Sequence, residues 1–480
     1  MQHPITDAAR AYPGLPPGFL LGAATASYQI EGAHDEDGRG PSIWDTYCRR
    51  PGLVADGASG DTACDHYHRY REDVALLRDL GVDSYRFSVA WPRIRPTGSG
   101  PVERRGLDFY DRLTDALLTA GISPAVTLYH WDLPQALEDR GGWRVRETAE
   151  RFAEYTALVA GRLGDRVDRW ITLNEPFCSA FLGHAAAVHA PGTREGRGAL
   201  AAAHHLLVGH GLAASALRAA GAREIGITLN PDRLLPATDD PADHAAVQRA
   251  ETLHNEVWFE PLFAGRYPAH EAETWGPMAD GSFRRDGDLD LIGAPLDFVG
   301  VNYYRPLTIA DAPYTDPDPA TRTAVDIRAA ERPRDDVRHT TMGWPVAPHT
   351  LTDLLVDLTR RYPAMPPLLI TENGSAESDT VTPEGRVHDT DRIDYLRDHL
   401  AAVAEAVRAG VDVRGYYVWS LLDNFEWARG YRQRFGIVRV DYATQQRIPK
   451  DSYHWYRGLI AAHRGGREGT GTASGDEATR

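Results

Sequence analysis

Residues Arg166–Pro176 read RVDRWITLNEP, and residues Pro367–Gly374 read PLLITENG. Each is a short apolar run that stops on a polar pair: Asn174–Glu175 in the first, Glu372–Asn373 in the second. Apolar runs without alternation read as strands buried on both faces, as in a parallel sheet. When such strands close into a barrel, the residues at their C-terminal ends meet over its mouth, where barrel chemistry takes place.

Working outward, six more runs have this form. They are Phe19–Ser27 (FLLGAATAS), Ser84–Trp91 (SYRFSVAW), Ser123–Trp131 (SPAVTLYHW), Glu224–Asn230 (EIGITLN), Asp297–Tyr304 (DFVGVNYY) and Arg414–Leu422 (RGYYVWSLL). Helical spacing over Tyr70–Leu80, Gly106–Thr119, Val145–Arg162, Ala199–Ala220, Leu351–Arg361 and Asp391–Ala409 separates most of them. The pattern predicts an α/β fold, a single (β/α)8 TIM barrel with long βα loops. A doubly wound open sheet is the alternative. It would more readily split into domains at 480 residues, and no Pro/Gly/Ser linker marks a split. The catalytic domain is expected over 17–462, with a disordered tail over 463–480. Glu31–Ala63 and Thr308–Pro345 read as long irregular loops over one face, which implies a deep pocket.

The charge balance, 52 basic against 68 acidic residues, gives a net charge of −16 and argues against nucleic acid or anionic membrane as a partner. Three scattered cysteines fit a reducing compartment better than a disulfide framework. No basic region followed by an apolar run opens the chain, so no signal peptide is read and a cytoplasmic location is expected. Ala199–Ala220 carries His204, His205 and His210 and reads as a buried helix, not a membrane span. The 19 histidines include no HExxH motif or Cys/His cluster. His66 and His68 could share one strand face, and Asp286–Asp290 (DGDLD) lacks the later Gly and Glu of a calcium loop. No GxGxxG or P-loop occurs. No metal and no cofactor are expected, and a homo-oligomer stays open.

Strands four and seven face each other across an eight-stranded barrel, so Glu175 and Glu372 can converge. Two facing carboxylates are the minimum equipment for cleaving an acetal. At about 5–5.5 Å one attacks the sugar, and at about 6.5–9.5 Å a water fits between them. Strand-end glutamates can instead cap helices or pair with arginines. That reading does not account for His130–Trp131, Asn302–Tyr304 and Trp419 at other strand ends, nor for Glu426–Trp427 just beyond the last. Aromatic faces with amides, carboxylates and imidazole suit a pyranose. An ionised Glu426 beside Trp427 suits a neutral polyol and would repel a sugar phosphate.

Seven ordered blocks make the chain similar to glycoside hydrolase family 1, the β-glucosidase type, from about Pro17 to Leu459. They are Phe19–Tyr47, Tyr85–Ile94 (YRFSVAWPRI), Thr127–Pro134 (TLYHWDLP), Thr172–Pro176 (TLNEP), Asn302–Tyr304 (NYY), Ile370–Gly374 (ITENG) and Trp419–Trp427 (WSLLDNFEW). The resemblance implies a retaining β-glycosidase acting on small soluble β-glycosides such as cellobiose, with glucosides first and fucosides and galactosides open. It makes Glu175 the general acid/base and Glu372 the nucleophile. Gln29, His130, Trp131, Asn174, Asn302, Tyr304, Trp419, Glu426, Trp427 and Phe435 are implied at the sugar site, with Arg86 supporting the nucleophile. Arg86 and the Tyr304 phenol should keep Glu372 ionised, and a less compensated setting should keep Glu175 protonated. Phe177, Cys178, His184, Trp344 and the Thr308–Pro345 loop are candidates for the aglycone side. Transglycosylation by the same site and a non-catalytic sugar-binding barrel are the competing readings.

Overall fold

The computed structural model describes residues 14–312 and 322–470. Eight parallel strands close into a barrel: β1 (Leu20–Ala24), β2 (Ser84–Ser88), β3 (Ser123–Thr127), β4 (Arg169–Asn174), β5 (Glu224–Leu229), β6 (Phe298–Asn302), β7 (Leu368–Asn373) and β8 (Val413–Trp419). They pair in chain order, and β8 closes on β1 with Leu20 opposite Gly415 and Ala24 opposite Trp419. All eight runs read as strands are strands of this barrel. Around it run α1 (His66–Leu80), α2 (Arg104–Thr119), α3 (Arg146–Leu163), α4 (Arg197–Ala219), α6 (His349–Arg361), α7 (Thr390–Arg408) and α8 (Asp451–Thr470), while α5 (Pro241–Glu251) packs its Ala246 and Ala250 against Leu234, Leu307 and Ile309 outside the barrel.

Burial explains the runs. Every residue of β2 and β7 is buried, because barrel strands have side chains on one face and helices on the other. On α2 the Glu103 side chain caps the Arg105 amide, and Phe109, Tyr110, Leu113 and Leu117 form its buried face. Gly121, at φ +76°, turns the chain into β3 through the left-handed region.

Several expectations need correction. His66 and His68 do not share a strand face. They open α1, where His66 Nδ1 lies 2.7 Å from Asp73 Oδ2 and His68 Nδ1 lies 2.6 Å from Asp65 Oδ1. The Thr308–Pro345 stretch is not irregular throughout: Pro306–Ala310 pairs with Ala330–Arg332 and with Arg233–Pro236 in a small three-stranded sheet. Residues 313–321 of that loop lie outside the described residues. Glu31–Ala63 contains a helix, Ile43–Cys48, held by a reciprocal cap between Ser42 and Asp45. The helix α8 continues past 462 to Thr470, and buried His463 bonds the Phe19 carbonyl at 3.1 Å. Of the expected tail, 471–480 lies outside the described residues.

Among the described residues α4 is the one helix long and apolar enough to cross a membrane, and it is largely buried inside the fold. Its histidines have core partners. His204 pairs with Asp288 at 2.8 Å, His205 with the Trp143 carbonyl at 3.1 Å, and His210 with Thr172 at 2.6 Å.

Candidate active site

Both glutamates sit where a strand slips register. The β4–β5 pairing shifts between Ile171 and Asn174, and the β6–β7 pairing shifts between Ile370 and Glu372. Such irregularities re-aim a side chain at a barrel rim. Glu175 has φ +43°, Trp131 +75° and Trp427 +47°, a conformation that costs free energy in a non-glycine residue. With Ala187 at +59°, four such residues line one cavity, which marks a functional site. Gly374 is required for a different reason: a Cβ there would come within 1.7 Å of the Trp419 carbonyl oxygen. Asn373 donates to the Tyr303 carbonyl at 2.6 Å and accepts from Tyr416 at 2.7 Å, which pins the end of β7.

Above the strand ends lies a cavity of about 790 Å³. His130, Trp131, Glu175, Asn302, Tyr304, Glu372, Trp419, Glu426, Trp427 and Phe435 all line it, as expected. Gln29, Asn174 and Arg86 are not among its lining residues; they form the layer that holds them. Gln29 Nε2 donates to Asn424 Oδ1 and to the Phe425 carbonyl, next to Glu426. Trp131 Nε1 donates to the Asn174 carbonyl at 2.9 Å, so Trp131 offers the cavity its ring and not its N–H. That ring packs 4.5 Å from the Trp427 ring.

The two carboxyls differ in their company. Arg86 Nη1 donates to Glu372 Oε1 at 2.7 Å, and the Tyr304 hydroxyl donates to Oε2 at 2.7 Å. Burial raises the Glu372 carboxyl above its ordinary value, and the Arg86 cation with these bonds opposes the rise. Glu175 is contacted by neutral donors: Asn302 Nδ2 at 2.6 Å and the Cys178 thiol at 3.2 Å. Burial first, and then the Glu372 charge, push Glu175 up to about 8. Ionisation of the pair therefore falls on Glu372, and Glu175 holds its proton at neutral pH. Burial, then the nearby Glu372 and Glu175 carboxyls, push the Glu426 carboxyl up to about 8.

His130 is held neutral, well below its ordinary pKa, by burial and by Arg86. Its Nε2 accepts from Asn174 Nδ2 at 3.2 Å, which leaves Nδ1 protonated and without a protein partner. Gln29 Oε1 is also buried and unpartnered. Buried polar atoms without partners are costly, so orphans beside a cavity are positions for ligand hydroxyls.

This arrangement occurs on a chain whose residues 12–465 match the model of glycosyl hydrolase family 1. The chain belongs to that family. It is 48% identical over 461 residues to a bifunctional β-D-glucosidase/β-D-fucosidase of Bifidobacterium breve, covering 94% of this chain and 98% of that protein. The psychrophilic β-glucosidase of Micrococcus antarcticus superposes with a TM-score of 0.90 at 47% identity, covering 96% of this chain and all of that one. A family 1 β-glucosidase of Thermotoga maritima, solved with isofagomine lactam, gives 0.88 at 44% identity over 94% of this chain and 99% of that one.

Beyond the sugar-sized end, this family 1 cavity is lined by loops. Of the residues named as aglycone candidates, Phe177, Cys178 and Trp344 line this cavity. His184 does not. It is buried, 3.2 Å from Thr193 Oγ1, and burial pushes its pKa down to about 3. The sequence reading missed Tyr47, Val188, His189, Asn230, Asp232 and His254, which all line the cavity. Asn230 was visible as the end of β5. The others sit in segments without a period, and only the fold brings them together.

Proposed function

We infer that the protein is a retaining β-glycosidase that hydrolyses terminal, non-reducing β-D-glucosyl residues of small soluble glycosides such as cellobiose. The observation that carries this is the asymmetry of the pair, with Arg86 and Tyr304 on Glu372 and only neutral donors on Glu175. Glu372, the ionised member, attacks the anomeric carbon. Glu175 protonates the glycosidic oxygen as the bond to it breaks. Once esterified, Glu372 has no charge, so Glu175 ionises more readily and takes a proton from water, which attacks the same carbon and releases Glu372. Two inversions retain the β configuration. The His130 and Gln29 orphans and the Glu426 carboxyl take sugar hydroxyls, and Trp419 packs on the ring. The relative of Bifidobacterium breve named for two sugars supports fucosides beside glucosides, since its name covers both.

The test is a panel of 4-nitrophenyl β-glucoside, β-fucoside, β-galactoside, β-mannoside, β-xyloside and α-glucoside, with the first anomer released read by NMR. β-Glucoside turnover releasing the β-anomer first is expected. Release of the α-anomer, or turnover of the α-glucoside alone, overturns the roles given to Glu175 and Glu372.

A further inference from the structure

We propose that the Thr371 hydroxyl, backed by Thr228, is a positioning group that fixes which end of the Asn302 amide meets the acid/base Glu175; the proposal rests on the glycosidase reading above. Inside the barrel these side chains form one directed chain. Thr228 Oγ1 donates to Thr371 Oγ1 at 3.3 Å, and Thr371 Oγ1 donates to Asn302 Oδ1 at 2.7 Å. The other end of the same amide, Nδ2, donates to Glu175 Oε1 at 2.6 Å and to Asn174 Oδ1 at 3.1 Å. Thr228, Thr371 and Asn302 are all buried, so bulk water does not stand in for a missing partner.

The backbone builds the chain. Thr228 belongs to β5 and Thr371 to β7, and β6 runs between them. Gly300 of β6 pairs with Thr228 on one side and with Leu369 on the other. A Cβ at Gly300 would come within 2.2 Å of Thr228 Oγ1 and 2.7 Å of Thr371 Oγ1. The glycine therefore opens the space in which two hydroxyls meet across an intervening strand. Thr371 itself falls in the register shift between Ile370 and Glu372.

An amide is a donor at one end and an acceptor at the other, and here the two ends meet opposite needs. Ionised Glu175 requires a donor. A hydroxyl proton on Oδ1 holds the carbonyl end away from Glu175 and polarises the amide, which strengthens its N–H bond. Without that proton Oδ1 is a buried acceptor with no partner, and a rotated amide satisfies it by accepting from protonated Glu175. Loss of the hydroxyl thus favours the protonated carboxyl. That state suits the first step and hinders the second, in which Glu175 takes a proton from water. The charged and titratable groups facing Glu175 are Glu372, Arg86 and Cys178, with Tyr304 and Glu426. A change of the Thr371 side chain leaves all of them in place, as it does the Thr371 carbonyl, which accepts from Arg86 Nη1 at 3.0 Å.

The experiment measures the pH dependence of kcat/KM for phenyl β-glucoside, and kcat for dinitrophenyl β-glucoside, whose second step limits turnover. The proteins are the wild type, Thr371→Val, Thr371→Ser and Thr228→Val. In Thr371→Val the alkaline limb should move up by about 0.5–1 pH unit, the equivalent of one hydrogen bond. There kcat for the dinitrophenyl substrate should fall about 3–10-fold. Thr371→Ser should restore both, and Thr228→Val should move the limb the same way by less. A packing defect alone lowers stability and leaves the limb where it was. Thr371→Ala, which also lacks the hydroxyl and adds no bulk, carries the test where the valine variant does not fold. A limb that moves by less than about 0.2 pH unit in a folded variant without the hydroxyl overturns the positioning role. So does a serine variant that shifts as far as the valine variant. A wild type that turns over no β-glucoside, or an alkaline limb that persists in Glu175→Ala, overturns the acid/base reading and the positioning role with it.

Discussion

Arg86 and Glu372 form a buried ion pair at the floor of the cavity, with Nη1 2.7 Å from Oε1 and both side chains under 5% exposed. The other end of the same guanidinium, Nη2, donates to Asn174 Oδ1 at 2.5 Å, the residue before Glu175. One fork thus holds the charge of the attacking carboxylate and the position of the strand that presents its partner.

Arg86→Met should lower kcat by about 10²–10³-fold, the usual cost of losing one charge-stabilising donor in an active site. The sign on pH follows from the pair. Without the cation Glu372 protonates more readily, so the acid limb of kcat/KM should move to higher pH. An unmoved acid limb in an otherwise folded variant would show that Arg86 does not govern the ionisation of Glu372.

Glu372→Gly should abolish turnover, and azide should restore it from the opposite face of the sugar as the α-glucosyl azide. Failure of azide, fluoride and formate alike in a folded variant would remove Glu372 from the nucleophile's role.

Glu175 is needed protonated for the first step and sits at about 8. The kcat/KM for glucosides with poor leaving groups should therefore fall as pH rises through about 8. In Glu175→Ala that alkaline limb should disappear, with the greatest loss for alkyl glucosides and the least for dinitrophenyl glucoside. The same alkaline limb in the alanine variant would assign it to another group.

The barrel was legible because its strands are buried on both faces and stop on polar pairs, as Leu173–Asn174–Glu175 and Ile370–Thr371–Glu372 do. The pair could be read for the same reason: a charged residue at the end of an apolar run has no use in the core. What lay beyond the sequence was side-chain direction and environment. His184 and His189 are five residues apart in the same loop, yet only His189 lines the cavity. Nothing local in the sequence distinguishes them. The Asp232–His254 contact spans 22 positions and needs the fold to form it.

Cys178 provides a finer test of the acid/base. Its thiol donates to Glu175 Oε2 at 3.2 Å, and burial keeps it a thiol. Donation favours the ionised carboxyl, the form that accepts a proton from water in the second step. Cys178→Ala should raise the alkaline limb, because the carboxylate loses a donor, and slow release of the glycosyl-enzyme. Cys178→Ser, a stronger donor, should lower it. Alkaline limbs that coincide in all three proteins would reduce Cys178 to packing.

The loop that carries Glu426 and Trp427 rests on an ionic cluster in which Lys450, Asp379, Asp423 and Arg392 are fully buried and Arg434 is partly buried. Lys450 Nζ pairs with Asp423 Oδ1 at 2.7 Å and with Asp379, while Arg392 holds Asp379 at 3.0 Å and Arg434 holds Asp423 at 2.6 Å. Asp423 also accepts from the Gly436 amide at 3.1 Å, next to Phe435 in the cavity wall. Lys450→Met keeps much of the volume but leaves two buried carboxylates short of a cation. The expected loss is about 3–5 kcal/mol in urea unfolding, the cost of breaking one member out of a buried pair. The loop should loosen as well, so KM for 4-nitrophenyl β-glucoside should rise more than kcat falls, since Trp427 and Phe435 hold the sugar and do not react. A loss below about 1 kcal/mol would place the cluster among ion pairs that a surface position could replace.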